Sequence, residues 1–148
     1  MKLIIDQFIT AVVPATYACV FGMSHGIPSF DKETVHFGIH KNFTSVVTGG
    51  PDDIIFFFLF EHMGKKFYRP NIPRFTEKDR DELVNRHLDK VITPDLKFRD
   101  IYAKKIRAVM TPLEEHIFKH WHSGRMMTIG DSSYKVLLYG ARCTSSLP

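Results

Sequence analysis

The sequence predicts an α+β domain: a mainly antiparallel sheet with flanking helices. Three observations lead there. Period-two apolar alternation runs through the first half of the chain, two stripes at helical spacing follow from about residue 75, and one short strand closes the pattern near residue 130. Strands first, then helices, then a strand is the order of an α+β fold, not of alternating βα units. A length of 148 residues, 44% hydrophobic and 24% charged, gives one globular domain room for a core.

The strands come in order. In TYACVFGM, Tyr17, Cys19, Phe21 and Met23 share one face, and SHGIPSFDKE breaks the pattern with Gly26 and Pro28. TVHFGI puts Val35, Phe37 and Ile39 on one side, and FTSVVT puts Phe43, Ser45 and Val47 on one side. GGPDD is a turn signal that joins FTSVVT to IIFFFLFE as a β-hairpin. The unbroken Phe/Ile run 54–60 means that both faces of this last strand are covered, or that one face meets a large apolar ligand.

The helical half opens at FTEKDRDELVNRHLDKVI, where Thr76 and Asp79 form a capping box with Asp in place of Glu or Gln. Leu83, Val84, His87, Leu88 and Val91 then make one stripe. TPDLKFRDIYAKKIRAVM predicts a second helix with Phe98, Ile101, Tyr102, Ile106 and Val109 on a shared face, interrupted by Pro112. LEEHIFKHWHSG stays open between a short helix and a loop, and RMMTIG reads as the closing strand.

Charge and cysteine content narrow the function classes. The net charge is +4, but the densest basic groups are the pairs Lys65-Lys66 and Lys104-Lys105. A nucleic-acid binder concentrates such charge on one face or arm, so a solvated surface is the better reading and no nucleic-acid partner is expected. Cys19 sits in an apolar run and Cys143 in the tail, with no CxxC pair. The apolar N-terminus suggests a signal peptide, an idea weakened by its single Lys2 and by Asp6. No uninterrupted apolar run reaches the ~18 residues of a membrane span. A cytoplasmic location is expected.

Few residues point to chemistry directly. His116, His120 and His122 cluster, and His116 and His120 would share a helix face, but HExxH is absent and no third ligand follows from spacing. A surface cluster outweighs a metal site, and no metal is expected. GGPDD lacks the Lys-Ser/Thr and the helix of a phosphate loop. Glu114 and Glu115 are adjacent, so they do not face each other as an acid/base pair would on a helix. Tyr17 could offer an active-site hydroxyl, although a half-buried strand tyrosine is commoner. IGDSS has a physical rationale: Gly130 lets a ligand approach the backbone, Asp131 can accept from a sugar or ribityl hydroxyl, and a helix starting after Ser132 would aim N–H groups at a pyrophosphate. Asp131 as a helix N-cap stands at even odds with that reading.

The elements YACVFG, GIPSF, FFFLFEHMGKKFYRPNIPRFTEKD, PLEEHIFKHWHSGR and IGDSSYK, in this order, resemble the substrate-binding region of fungal FAD-dependent monooxygenases of the aromatic-hydroxylase class, including meroterpenoid and indole-diterpene epoxidases. The resemblance implies a substrate domain on an antiparallel sheet, set beside a Rossmann-type FAD domain. It implies FAD as cofactor, NADPH as reductant, a flavin hydroperoxide as oxidant, and epoxidation or hydroxylation of a prenylated, terpenoid or aromatic intermediate of secondary metabolism. By match, Asp131 is the residue that contacts the flavin's ribityl or ribose hydroxyls, with Gly130 and Ser132 beside it. Tyr17 aligns with a substrate-side aromatic and is the catalytic candidate.

The departures from that family are as informative. No GxGxxG is present, and after GDSSYK the chain runs into VLLYGARCTSSLP in place of the expected Pro- and Gly-rich turn. The chain therefore divides into a substrate-binding-domain-like region, 1–135, and a divergent tail, 136–148, and it reads as a truncated gene product or a mis-predicted gene. The alternatives to a monooxygenase-like protein are a non-catalytic ligand-binding pseudoenzyme and a cofactor-independent isomerase or cyclase. The expected partners are an apolar, terpenoid-like small molecule and either a second copy of the chain or a complementary FAD-domain chain.

Overall fold

A computed structural model describes residues 13–135. The 136–148 tail marked off by the sequence, and with it Cys143, lies outside the described residues. The elements in chain order are β1 (Ala15–His25), β2 (Val35–His40), β3 (Phe43–Gly49), β4 (Ile54–Phe67), α1 (Glu77–His87), β5 (Val91–Thr93), β6 (Leu96–Lys97), α2 (Phe98–Ala103), β7 (Lys105–Glu114), β8 (His116–Ile117), β9 (His122–Ser123), β10 (Met126–Met127), a 3-10 turn (Gly130–Ser132) and β11 (Tyr134–Lys135). The chain divides into two compact units: one takes Tyr17–Met63 and Pro73–Pro112, the other the residues up to Thr16, Gly64–Ile72 and those from Leu113 on.

The larger unit is α+β, built on a five-stranded sheet in the order β2-β3-β4-β1-β7. β2 pairs antiparallel with β3 from Val35↔Thr48 to His40↔Phe43, and β3 with β4 from Phe43↔Glu61 to Gly49↔Ile55. Local chemistry sets both turns. Asn42 takes a left-handed φ of 62° between β2 and β3, while Asp52 and Asp53, at 55° and 59°, turn GGPDD; Asn and Asp tolerate this region better than other side chains. Gly50 N–H donates to Ile54 O at 2.8 Å and closes the hairpin. Tyr17 lies beside His62 and Phe21 beside Phe58, the contact pattern of an antiparallel β1–β4 pair.

The core lies on one face of this sheet. Ile55, Phe57 and Leu59 of β4, Val20 of β1 and Val47 of β3 are fully buried there with Leu83 and Val84 of α1 and Phe98 and Ile101 of α2. Burial of each such side chain contributes ~1.5–3 kcal/mol. The Thr76–Asp79 capping box is present: Asp79 N–H donates to Thr76 Oγ1 at 3.3 Å, and Thr76 N–H to Asp79 Oδ2 at 2.7 Å. Arg86 and His87 close the last turn of α1, where positive charge suits the helix dipole.

The second half differs from the sequence expectation in three places. Val91 does not continue the α1 stripe; it is 62% exposed in β5, which pairs with β6. The second helix ends at Ala103, and Ile106 and Val109, expected on its face, are exposed on strand β7. The cause is tertiary: the Lys104 carbonyl, which a longer helix would use internally, accepts from His25 N–H of β1 at 3.1 Å, and β-branched Ile106 and Val109 suit a strand. The predicted closing strand is reduced to Met126–Met127, paired with β9 and outside the five-stranded sheet.

In the smaller unit, the open stretch LEEHIFKHWHSG holds the end of β7 and the two short strands β8 and β9, with no helix. Arg69 grips Glu114 through Nε at 3.1 Å and Nη2 at 2.9 Å, and Glu115 N–H donates to Pro14 O at 2.9 Å.

Candidate functional site

The second face of the large sheet is the candidate site. Alternation that sends Ile55, Phe57 and Leu59 into the core sends Phe56, Phe58 and Phe60 to the opposite side, with Tyr17, Cys19 and Phe21 of β1 beside them. Both helices pack on the core side, and among the described residues of this unit neither helix covers the aromatic side. Phe21 lies between two rings of β4, 5.0 Å from Phe58 and 6.4 Å from Phe56, and Phe58 stacks on Phe60 at 6.2 Å and 5°. Phe21, Phe56 and Phe58 are only half-buried. Toward the β2 edge the face continues through Val35, Phe37 and Ile39, 46%, 50% and 66% exposed. Cys19, Val46 and Phe60 are buried on this same face, so it is covered in part; its half-buried rings Phe21, Phe56 and Phe58, with exposed Val35, Phe37 and Ile39, mark it as a candidate ligand or partner surface.

Among the described residues, both helices pack on the Ile55–Phe57–Leu59 face of β4. Tyr17 sits at one end of the aromatic face, half-buried, its ring edge-to-face with His62 at 5.1 Å and 83°. His62 was not singled out in the sequence. Its signal was there: the period of two in FFFLFEHM carries Phe56, Phe58 and Phe60 on to His62. Cys19 lies between Tyr17 and Phe21 on β1, and burial pushes its thiol up to about 12, so it stays neutral.

Polar networks fasten the core side. Glu61 Oε2 meets His87 Nε2 at 2.6 Å and Glu61 Oε1 accepts from Arg86 Nη2 at 2.5 Å, while the His87 ring stacks on Phe43 at 3.6 Å. Burial would raise the Glu61 carboxyl, but the hydrogen bonds from His87 and Arg86 outweigh it and hold it below its ordinary value. Arg80 donates to Ala108 O at 3.0 Å and clamps Asp81 at 2.9 and 3.1 Å, and Tyr102 donates to Asp81 at 2.8 Å. Burial, then Asp81, push the Tyr102 phenol up to about 12. These contacts tie α1 to α2, β4 and β7 and are structural. A shallow cleft lined by Glu61, Asp79, Glu82 and Arg86 among others belongs to the same region.

The Gly-Asp turn belongs to the smaller unit. Gly130 has φ of 59°, and a Cβ there would meet nothing within 4 Å, so the backbone is open to approach at this point. Gly130, Asp131 and Ser132 form one 3-10 turn that leads into β11, not the helix expected after Ser132. The cap position of this turn is Ile129, so the turn gives Asp131 no helix to cap; the Asp131 side chain itself lies outside the described atoms. Ser132 is exposed, and the anchor is Ser133: it is buried, its N–H donates to Gly130 O at 2.9 Å, and its hydroxyl bonds Thr128 Oγ1 at 2.9 Å. Trp121 Nε1 donates to Phe118 O at 2.6 Å. The described residues thus provide one open turn at Gly130–Ser132 and no glycine-rich loop running into a helix. His116 and His120 lie on no helix, and among the described residues no group of His, Cys, Asp and Glu is placed to hold a metal ion. Among them, too, no helix is long and apolar enough to cross a membrane.

No protein-family profile matches the chain. Curated proteins do. The chain is 33% identical over 120 residues to an FAD-dependent monooxygenase of Penicillium shearii, covering 81% of this chain and 25% of that protein. It is 34% identical over 122 residues to an FAD-dependent monooxygenase of Calcarisporium arbuscula, covering 82% and 25%. With an FAD-dependent monooxygenase of Aspergillus terreus the figures are 32% over 126 residues, 85% and 27%. The chain spans about a quarter of the length of these relatives. Over more than four-fifths of its own length, the chain is a sequence relative of one segment of the fungal FAD-dependent monooxygenases.

Proposed function

We propose that this chain supplies the substrate-binding surface of an FAD-dependent monooxygenase that oxygenates an apolar, ring-bearing or prenylated intermediate of secondary metabolism. The single observation that carries the reading is the helix-free aromatic face of the sheet, with Phe21 between Phe56 and Phe58, in a chain whose relatives bear that enzymatic name. FAD, when bound and reduced by NADPH, supplies the oxygen-transferring chemistry. The chain's own residues do the rest of the work: the Phe rings hold an apolar body by dispersion and exclude water, Tyr17 touches the substrate side, and the open turn at Gly130 and Asp131 meets the flavin's hydroxyl-bearing chain.

A second reading, a ligand-binding module without flavin chemistry, is favoured by the scarcity of flavin contacts: one open turn and no pyrophosphate-binding helix among the described residues. Naphthalene serves as a minimal apolar ring probe. The first reading expects naphthalene binding, together with NADPH-driven oxygen uptake once the chain is mixed with FAD and the flavin-binding part of a relative. Naphthalene binding with no oxygen uptake in that mixture would favour the module, and no naphthalene binding would sink both.

A further inference from the structure

We propose that the cleft between α1 and strands β1, β4 and β7 binds a small organic cation: a primary ammonium on an unbranched apolar chain. The cleft lies on the helix-packed side of the sheet, so this inference does not rest on the reading of the aromatic face. The cleft holds about 200 Å³, less than the ~300–1,000 Å³ of a site for a drug-sized ligand. Its floor is apolar: Ala18 and Leu83 are buried, and Met63, Phe75 and Met110 are partly buried against the core. Thioethers are polarisable and adapt to an alkyl chain, and an aromatic ring attracts a cation to its face. The charges on the rim do not cancel. Glu61 and Arg86 are spent on each other, Oε1 to Nη2 at 2.5 Å, and the second Glu61 oxygen is spent on His87 at 2.6 Å. Asp79 spends Oδ2 on the Thr76 N–H and hydroxyl, at 2.7 and 2.6 Å, and keeps Oδ1 for a ligand. Glu82 meets Lys78 at 3.8 Å with both side chains mostly exposed, a pair worth ~0–1 kcal/mol. Asp79 and Glu82 are three positions apart on α1 and therefore neighbours on one helix face. Two carboxylates with acceptor capacity to spare above an apolar floor complement an ammonium on an apolar stem: the chain lies on the floor and the N–H groups donate to the rim. An anion would face the same carboxylates and find Arg86 already held.

The test titrates the full chain with n-hexylamine and with 1-hexanol, which share a chain and differ in charge, and follows the methyl NMR signals of Met63 and Met110. Both signals are expected to shift saturably with the amine, and the amine to bind more tightly than the alcohol by about five-fold for each carboxylate engaged. That preference should shrink in 1 M salt, which screens exposed charges, and in Glu82→Gln, with a matching thermal melt to establish that the fold is kept. Asp79 stays in place because it caps α1. Equal affinities for amine and alcohol in the wild type would overturn the proposal, and that comparison needs no variant to fold. Amine binding that leaves Met63 and Met110 unshifted, or a preference unchanged in Glu82→Gln, would also overturn it. Tighter binding of Nα-acetyl-lysine methylamide than of n-hexylamine would assign the cleft to a lysine side chain of a partner protein and overturn the free amine. Naphthalene should not displace the amine; displacement would place the amine on the aromatic face and overturn the cleft as its seat.

Discussion

The ring of Phe57 occupies the space directly against Gly22: a Cβ built on Gly22 would lie 2.2 Å from the ring and 2.8 Å from the Arg107 carbonyl. Phe57 is fully buried and sits edge-on to Phe98 at 5.3 Å, so it has little room to retreat. Gly22→Ala is therefore expected to destabilise the larger unit by ~1–3 kcal/mol, the usual cost of overpacking a filled core. Urea denaturation checks it, and a variant as stable as the wild type would show that the β1–β4 contact is looser than described.

Glu61 makes stability depend on acid. Its carboxyl is held below the ordinary value of 4.5, burial notwithstanding, by hydrogen bonds from His87 and Arg86. A group with a lowered folded-state pKa stabilises above its unfolded value, and that contribution is lost as pH falls through the folded value. Glu61→Gln should therefore be less stable than wild type at neutral pH by ~1–3 kcal/mol, with the gap closing below pH 4.5. Other carboxylates with lowered pKa, such as Asp81, soften both proteins alike. Melting temperatures of the pair across this range decide it, and a gap that stays constant into acid would contradict the role of Glu61.

Cys19 should be inert in the folded protein. The thiolate is the reactive form, and burial pushes this thiol up to about 12. Labelling by a disulfide reagent, with Cys143 replaced by serine, is expected only at the rate of unfolding. Rapid labelling under native conditions would mean that the β1 face opens freely.

The flavin should bind the isolated chain weakly, above micromolar, because no pyrophosphate-binding helix accompanies the Gly130–Ser132 turn among the described residues. At high FAD concentration, Asp131→Ala is expected to weaken binding by a further ten-fold to a hundred-fold, the loss of a charge-assisted bond of ~1.5–3 kcal/mol. Tyr17→Phe should leave it unchanged. Quenching of flavin fluorescence reads both. Submicromolar binding by the wild type would contradict the first expectation, and unchanged affinity in Asp131→Ala the second.

The strands were legible where one face decided the pattern. Phe43, Ser45 and Val47 share the face that the sequence assigned them because that face is packed by helices. The Thr76 box and the GGPDD hairpin were legible because each is closed by side-chain or backbone chemistry within a few residues. Ile106 and Val109 were misread as helical because the spacing 98–109 fits a helix locally, and only a distant N–H, that of His25, ends it. Tyr17 was legible as a strand residue, but its partner was not: His62 lies 45 positions along the chain, and nothing local announces which strand lies beside β1. The anchoring of Ser133 depends in the same way on a nearby hydroxyl, Thr128, that spacing does not reveal.

The central claim is that the aromatic side of the sheet, and not the helix-packed side, receives the ligand. Methyl and aromatic NMR spectra of the chain titrated with naphthalene test it most directly. The expected result is that signals of Phe21, Phe58 and Val46 shift in a saturable way, while those of Leu83, Val84 and Ile101 stay in place. Saturable shifts confined to Leu83, Val84 and Ile101, or no shift on either side, would contradict it.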